Sequence, residues 1–314
     1  MAIPASLRAN LSFPAIAAPM FLVSGPQLVI ETCKNGMIGT FPALNQRSSE
    51  GFEDWLNQIK AALTPKDCAF GVNLIVHPTN TRLKADLDIT IKHRVPLVIT
   101  SLGAVKDIVD AVHAYGGLVF HDVINARHAK KAMEAGVDGL ILVCAGAGGH
   151  AGTQHPFALV NEVRSFFKGT IILSGCQSTG GDVASALMIG ADLGYMGTRF
   201  IATDEALAEP DYKTMITKTS AKDITYTPAI SGVAANFLTP SLTAHGLDPD
   251  TLKAMDHKMD MAAEMHDDAK AWKTIWSAGQ GVGSINEVLP VAQLIARLKS
   301  EFSQAQMAFQ SRLL

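Results

Sequence analysis

Up to residue 196 the chain sets its apolar positions in short uninterrupted runs, at residues 15–18, 37–40, 69–75, 97–100, 118–121, 139–143, 170–174 and 193–196. Each run is followed by a polar or glycine-rich loop. Between the runs lie stretches with helical apolar spacing, including residues 27–35, 52–63, 105–115, 127–135 and 182–189. Apolar runs without alternation predict strands buried on both faces, as in a parallel sheet covered by helices. The triplets Gly136-Val137-Asp138 and Gly190-Ala191-Asp192 put a glycine where a helix must turn into the next strand. Eight such βα units predict an α/β fold, a closed (β/α)₈ TIM barrel, with a doubly wound open sheet as the alternative.

After the eighth run the pattern changes. Residues 204–284 read as mostly helical, punctuated by Pro210, Pro228, Pro240 and Pro249. Met255, Met259, Met261 and Met265 are spaced as the packing face of a helix. His257 and His266 read as solvated, and Trp272 and Trp276 as anchors onto the barrel. Residues 286–310 predict a last amphipathic helix, with Asn286 as its N-cap. The expected organisation is a barrel over 1–203, a smaller helical substrate or lid domain over 204–284, and a helix over 285–314 that returns to the barrel.

Composition narrows the class. Of 314 residues 48% are hydrophobic and 18% charged, which allows a large core and excludes disorder. Lysine and arginine number 26 against 29 acids, a net charge of −3, and no basic run exists. A nucleic-acid footprint is therefore missing. Residues 9–30 are uncharged and long enough to span a bilayer, but Pro14, Pro19, Gly25 and Pro26 break any such helix, and only Arg8 could serve a signal peptide. The expected location is cytoplasmic, with no membrane partner. Cys33, Cys68, Cys144 and Cys176 form no C-x-x-C pair, so neither a disulfide framework nor a zinc site is expected.

In a barrel of this kind the active site lies at the C-terminal strand ends. Those ends carry no lysine, which leaves a Schiff-base mechanism without a nucleophile. Their one carboxylate is Asp122, too few for paired-carboxylate hydrolysis. Nothing in the spacing of His77, His121, Asp122 and His150 favours a metal, and no metal is expected. So sparse a set of acids and bases points to an organic cofactor. The ends of the seventh and eighth runs, Ser174-Gly175-Cys176-Gln177-Ser178-Thr179-Gly180-Gly181 and Met196-Gly197-Thr198-Arg199-Phe200, stand where such barrels bind phosphate. Gly146-Ala147-Gly148-Gly149-His150-Ala151-Gly152 is a near-continuous glycine loop presenting one imidazole, a group that can donate, accept or titrate. Asn73 could hydrogen-bond the edge of a ring.

Pro14-x4-Pro19-Met20, Gly71-Val72-Asn73, Ala147-Gly148-Gly149-His150-x-Gly152, Ser174-Gly175 and Met196-Gly197-Thr198-Arg199-Phe200 occur in order. Together they resemble the nitronate monooxygenase family, formerly 2-nitropropane dioxygenases, over residues 12–205. Ala278-Gly279-Gln280-Gly281-Val282-Gly283 resembles the family as well. The resemblance implies an FMN-dependent barrel enzyme that oxidises alkyl nitronates with O₂ to carbonyl compounds and nitrite. It places Ala18, Pro19 and Met20 near the isoalloxazine, Asn73 on the ring, and Gly148 and Gly149 alongside it. Gly175, Cys176, Gly197 and Thr198 would hold the phosphate, and His150 matches the catalytic histidine. It would position the nitro group, or remove the α-proton where a neutral nitroalkane is accepted.

Two positions depart from the family. Cys176 stands where a second glycine is usual, and is expected to be a small buried substitute. Asp122 puts a carboxylate near the flavin, where it would oppose negative charge on ring or substrate. Relatives in the same superfamily reduce quinones or enoyl thioesters with NAD(P)H, and that activity is the alternative. For it, residues 204–284 offer Lys213, Lys218, Lys222, Lys253, Lys258, Lys270 and Lys273 but no arginine. A flavin-binding protein without turnover and a flavin-free barrel holding a phosphorylated metabolite complete the readings. A homodimer is the candidate assembly, which the sequence leaves open.

Overall fold

Every one of the eight apolar runs forms a strand, because only a strand covered on both faces can bury such a run. The computed structural model of the chain describes residues 2–103, 106–252 and 273–313. Its barrel strands are β1 (Ala15–Ala17), β2 (Ile38–Pro42), β3 (Phe70–Ile75), β4 (Leu97–Ser101), β5 (Leu118–Val123), β6 (Gly139–Val143), β8 (Thr170–Ser174) and β9 (Leu193–Met196). They pair in parallel in chain order, and β1 pairs with β9 to close the ring, which excludes the open sheet. The two-residue strand β7 (Gly149–His150) belongs to a separate sheet.

Alternation along the strands sorts two packed layers. Ile16, Ile38, Ile99, Phe120, Ile141 and Ile172 pack together inside the barrel. Val72, Val98, Val119, Leu140 and Ile171 point out against the helices. Those helices are α2 (Pro26–Lys34), α3 (Ser49–Ala62), α4 (Leu83–Lys92), α5 (Lys106–His113), α6 (Ala126–Glu134), α7 (Pro156–Phe166) and α8 (Gly180–Met188). A short first helix, α1 (Ala5–Arg8), adds Leu7 to the inner layer and closes the N-terminal end of the ring. Gly136 and Gly190 have φ of +89° and +110°, the left-handed turn from helix to strand that their triplets suggest. Residues 9–30 become β1, a loop and α2; among the described residues no helix is long and apolar enough to cross a membrane.

The segment after β9 differs from the sequence reading. Its described residues hold the helices α9 (Thr198–Ile201), α10 (Pro210–Lys218), α11 (Thr239–Ala244) and α12 (Pro249–Leu252), but also two strands. These are β10 (Ile224–Thr227) and β11 (Ala235–Leu238), an antiparallel pair whose far edge takes up β7. In β10 the inward positions are Thr225 and Thr227, both buried, so the hydropathy pattern carries no strand signal there. Met255, Met259, Met261, Met265, His257, His266 and Trp272 lie outside the described residues. Trp276 stacks on Tyr212 with ring centroids 5.0 Å apart.

The last helix, α13 (Val291–Arg312), starts after Pro290 and not after Asn286. Leu289 instead bridges Thr203 in parallel, its N–H bonded to the Ala202 carbonyl at 3.3 Å. A residue before proline is held extended, which delays the helix until the ring has passed. Cys33 is buried against this outer layer.

At the closed end the Asp192 carboxylate, nearly buried, joins three elements. Oδ1 accepts from the Ala2 N–H at 2.9 Å; Oδ2 accepts from the Ile171 N–H at 2.9 Å and from Arg164 at 2.7 Å. Removing it strands three donors, at about 1–3 kcal/mol for each one left buried. Asp192→Ala is therefore expected to lower unfolding free energy by about 2–4 kcal/mol in urea titrations, with Asp192→Asn recovering part of the loss. An unchanged midpoint would show that the ring closes without this carboxylate.

Candidate active site at the barrel mouth

The strand ends surround a cavity of about 720 Å³. Ala18, Pro19 and Met20, which follow β1, form an apolar shelf on one side, and the β3 end contributes Asn73. Opposite lies the glycine loop after β6, with Gly148, Gly149 and His150. The turns after β8 and β9 bring in Gly175, Cys176, Gly197 and Thr198, and β5 brings in His121 and Asp122. All the residues singled out by sequence for cofactor or catalysis thus line one cavity. His77 is not among its walls; its Nδ1 pairs with the Thr79 hydroxyl at 2.9 Å.

The glycine loop is shaped by a second backbone. A Cβ on Gly148 would lie 2.7 Å from the Gly279 nitrogen, and one on Gly279 would lie 2.7 Å from the Gly146 oxygen. Gly146 and Gly149 also have φ of +82° and +68°. The Gln280 N–H donates to the Gly146 carbonyl at 2.9 Å, and the Gly279 N–H to the Thr198 hydroxyl at 2.9 Å. Asn236 in β11 donates to the Ala147 carbonyl at 2.6 Å. Pairing of His150 with Ala235 then fixes the imidazole at the cavity wall. Burial pushes His150 down to about 4, so the ring is neutral at neutral pH. His121, whose Nδ1 lies 2.7 Å from the Thr100 hydroxyl, is pushed to about 4 for the same reason.

At the turns after β8 and β9, where the sequence places a phosphate, the first turn of α8 is already occupied. Asp182 accepts from the Ser178 and Thr179 N–H groups at 2.9 and 2.8 Å, and Glu301 accepts from Gly180 at 2.8 Å. The donors left for an anion are those of the Gly175–Cys176 turn and of the start of α9, where Thr198 and Arg199 have no intrahelical acceptor. Arg199 itself is buried and lowered to about 10 by desolvation, and points to the carbonyls of Ala202 and Glu287. Cys176 corrects one expectation, since it is exposed to the cavity and not buried. Its φ of +57° explains why glycine suits this position.

One strand-end residue gains a role from the structure, and three further wall residues lie outside the strand-end reading. Ser101 ends β4 and links Asn73 to Asp122: its Oγ accepts from Asn73 Nδ2 at 2.8 Å and donates to Asp122 Oδ2. His128 and Lys131 reach the cavity from α6, and Tyr226 from β10, its hydroxyl donating to the Ala151 carbonyl at 2.9 Å. Residues at barrel strand ends, such as Ser101, carry a positional signal in sequence; His128, Lys131 and Tyr226 lie on a helix and in the second sheet, outside it. Ala278 and Gly279 do carry a signal, the late glycine motif, and they line the cavity too.

Of the four cysteines Cys176 alone is exposed, and burial with the Asp182 charge lifts its thiol above the usual range. Iodoacetamide is expected to alkylate Cys176 first, slowly at pH 7 and faster above pH 9. Added FMN is expected to slow that labelling. Labelling rates indifferent to FMN, read by peptide mass spectrometry, would put any bound phosphate elsewhere.

Comparison with known proteins agrees with this geometry. Residues 77–301 match the family model described as nitronate monooxygenase. The nitronate monooxygenase of Paraburkholderia phytofirmans is 26% identical over 345 residues, covering 93% of both chains. Among solved structures, FabK from Thermotoga maritima superposes with a TM-score of 0.82 at 24% identity, over 98% of each chain. Nitroalkane oxidase from Streptomyces ansochromogenes gives the same TM-score and identity, over 97% of this chain and 99% of that one. These structures share the barrel fold. The family match spans most of this chain and includes the His150 loop, the turns after β8 and β9 and the late glycine motif, and on that evidence the chain belongs to the nitronate monooxygenase family and is an oxidoreductase.

Proposed function

We propose that this protein is an FMN-dependent nitronate monooxygenase, which oxidises alkyl nitronates with O₂ to carbonyl compounds and nitrite. The observation that carries the reading is His150, a neutral imidazole held by β7–β11 pairing on the wall of a cavity lined mainly by backbone and apolar side chains. The cavity suits FMN on three counts. The loop at Gly148 and Gly149 has no side chain to obstruct a planar ring. Ala18, Pro19 and Met20 offer an apolar shelf, and the turns at Gly175–Cys176 and Gly197–Thr198 present free N–H donors to a phosphate. When bound, FMN supplies the electron acceptor that none of the side chains can replace.

The chain's own part is binding and orientation. A neutral His150 donates its ring N–H to a nitronate oxygen at little cost. Removing the α-proton of a neutral nitroalkane would create an imidazolium in a site that pushes its pKa to about 4. The site therefore favours the nitronate over the nitroalkane. Asn73, held by the Ile99 carbonyl at 3.2 Å and by Ser101, keeps its carboxamide oxygen available to a ring N–H. The residues 204–284, read as a lid, contribute Tyr212, Tyr226 and Ala278 to the cavity and would shield the reaction from water.

The second reading, an NAD(P)H-dependent reductase, draws on Lys131 at the cavity edge, a cation suited to a dinucleotide phosphate, with His128 beside it as a neutral donor. One experiment separates the readings. Anaerobic titration of the FMN-loaded protein with propyl 2-nitronate is expected to bleach the oxidised flavin bands, while NADH leaves them unchanged. His150→Ala is expected to lower kcat/KM for the nitronate on the order of 10²-fold without changing flavin affinity. Bands that resist the nitronate but bleach with NADH would overturn the monooxygenase reading. Turnover that survives His150→Ala would remove His150 from the chemistry.

A further inference from the structure

Charge is distributed unevenly around the cavity. Its imidazoles are neutral: His121 and His150 are each pushed to about 4 by burial, and His128 is also lowered by burial and by Arg127 and Lys131. The lysine of the wall, Lys131, is exposed on the outer helix α6. The phenol of Tyr195, from β9, is held neutral by burial and by the Asp122 charge. Cys176, across the cavity, is likewise a thiol and not a thiolate at neutral pH. The neighbouring β4 and β6 present Ser101 and aliphatic residues. Among the described wall residues Asp122 is thus the one acid, half-buried and with no cation beside it.

Its two oxygens are treated differently. Oδ2 takes the Ser101 hydroxyl, itself held by Asn73. Oδ1 is buried and takes no hydrogen bond from any described residue. A carboxylate so placed lacks the two or three donors that normally stabilise the charge, and burial moves its titration up to about 6. Protonation of Asp122 would remove the one negative charge of the cavity wall, which an oxyanion entering the cavity would otherwise meet.

We propose that anion binding in this cavity is coupled to proton uptake by Asp122, so that a nitronate-like oxyanion binds together with one proton from solvent. The idea deepens the monooxygenase reading and rests on it only for the class of ligand. No bond to the ligand is made or broken; the proton stays on Asp122 while the anion is bound. Asp122 is then the residue that sets substrate charge, accepting small oxyanions at net neutrality. Above the titration of the free carboxyl each anion must bring a proton, and affinity falls tenfold per pH unit; below it the proton is already present and affinity levels off.

Nitrate is the suitable probe, since it is a planar oxyanion that does not titrate in this range. Its Kd for the FMN-loaded protein can be read from the flavin spectrum between pH 5 and 8.5. Proton uptake comes from calorimetry in two buffers of different ionisation enthalpy. Expected for the unmodified protein is a Kd flat below about pH 6 and rising about tenfold per unit above pH 7, with close to one proton taken up per nitrate at pH 8. Asp122→Asn should bind nitrate with no such slope and no proton uptake. Should Asp122→Asn not fold, Ser101→Ala, which removes the donor to the carboxylate, should keep the slope and move its onset to higher pH. A flat Kd in the unmodified protein, an unchanged slope in Asp122→Asn, an unmoved onset in Ser101→Ala, or no nitrate binding at pH 6 would each overturn the proposal. Failure to oxidise propyl 2-nitronate while nitrate still binds with a proton would instead sink the monooxygenase reading and leave this one standing.

Discussion

The mouth of this barrel depends on the approach of two backbones that no side chain could separate. Gly148 and Gly279 face each other so closely that a Cβ on either would strike main-chain atoms of the other segment. From that contact the rest follows. Gln280 bonds to Gly146, Gly279 bonds to Thr198, and Ser178 donates its hydroxyl to the Gly281 carbonyl at 2.9 Å. Three turns far apart in sequence, after β6, β8 and β9, are thereby joined to a strip near the C-terminus. A packed backbone cannot drift as a loop can, so His150 and the turns after β8 and β9 inherit the stiffness of the barrel.

The same assembly removes water and so decides protonation. Burial acts in opposite senses on the two kinds of group at the wall, keeping imidazoles unprotonated and pushing a carboxyl towards its acid form. Both outcomes favour neutrality. For His121 and His150 the folding cost appears as pH falls from the ordinary imidazole range towards 4, since the unfolded chain then binds protons that the fold refuses. For Asp122 it appears as pH rises from 3.8 towards 6, since the fold then holds a proton that the unfolded chain has released. The interior of the site is a low-charge medium, in which any charge brought by a ligand is felt strongly.

How much of this was legible in sequence depended on whether burial wrote itself into the pattern. The eight barrel strands did so, because their runs are apolar on both faces. Strands β10 and β11 did not: Thr225 and Thr227 point inward in one, and the other is four residues long. The strand character of His150 was invisible for a related reason, since its partner Ala235 comes much later in the chain. Most of the cavity wall was legible because barrel topology puts strand ends together whatever their identity. His128, Lys131 and Tyr226 were not, lying outside that rule, and neither hydropathy nor spacing announces the exposure of Cys176.

Fold alone cannot choose the reaction, because structures with the same barrel at 24% identity carry different names. What can choose is the balance of charge at one point of the wall. A reductase that receives hydride from a dinucleotide needs cations along the path of its phosphates, and at its edge this cavity offers Lys131 beside a neutral His128. A nitronate oxidase needs a compact anion beside the ring, met by a donor that does not compete for the proton. On the proposed function, His150, neutral and fixed by strand pairing, would be such a donor. Asp122 would be an obstacle to the same anion if its charge were permanent. On the proposed coupling it would cease to be one, because its surroundings offer the charge a single hydroxyl and leave the second oxygen unbonded.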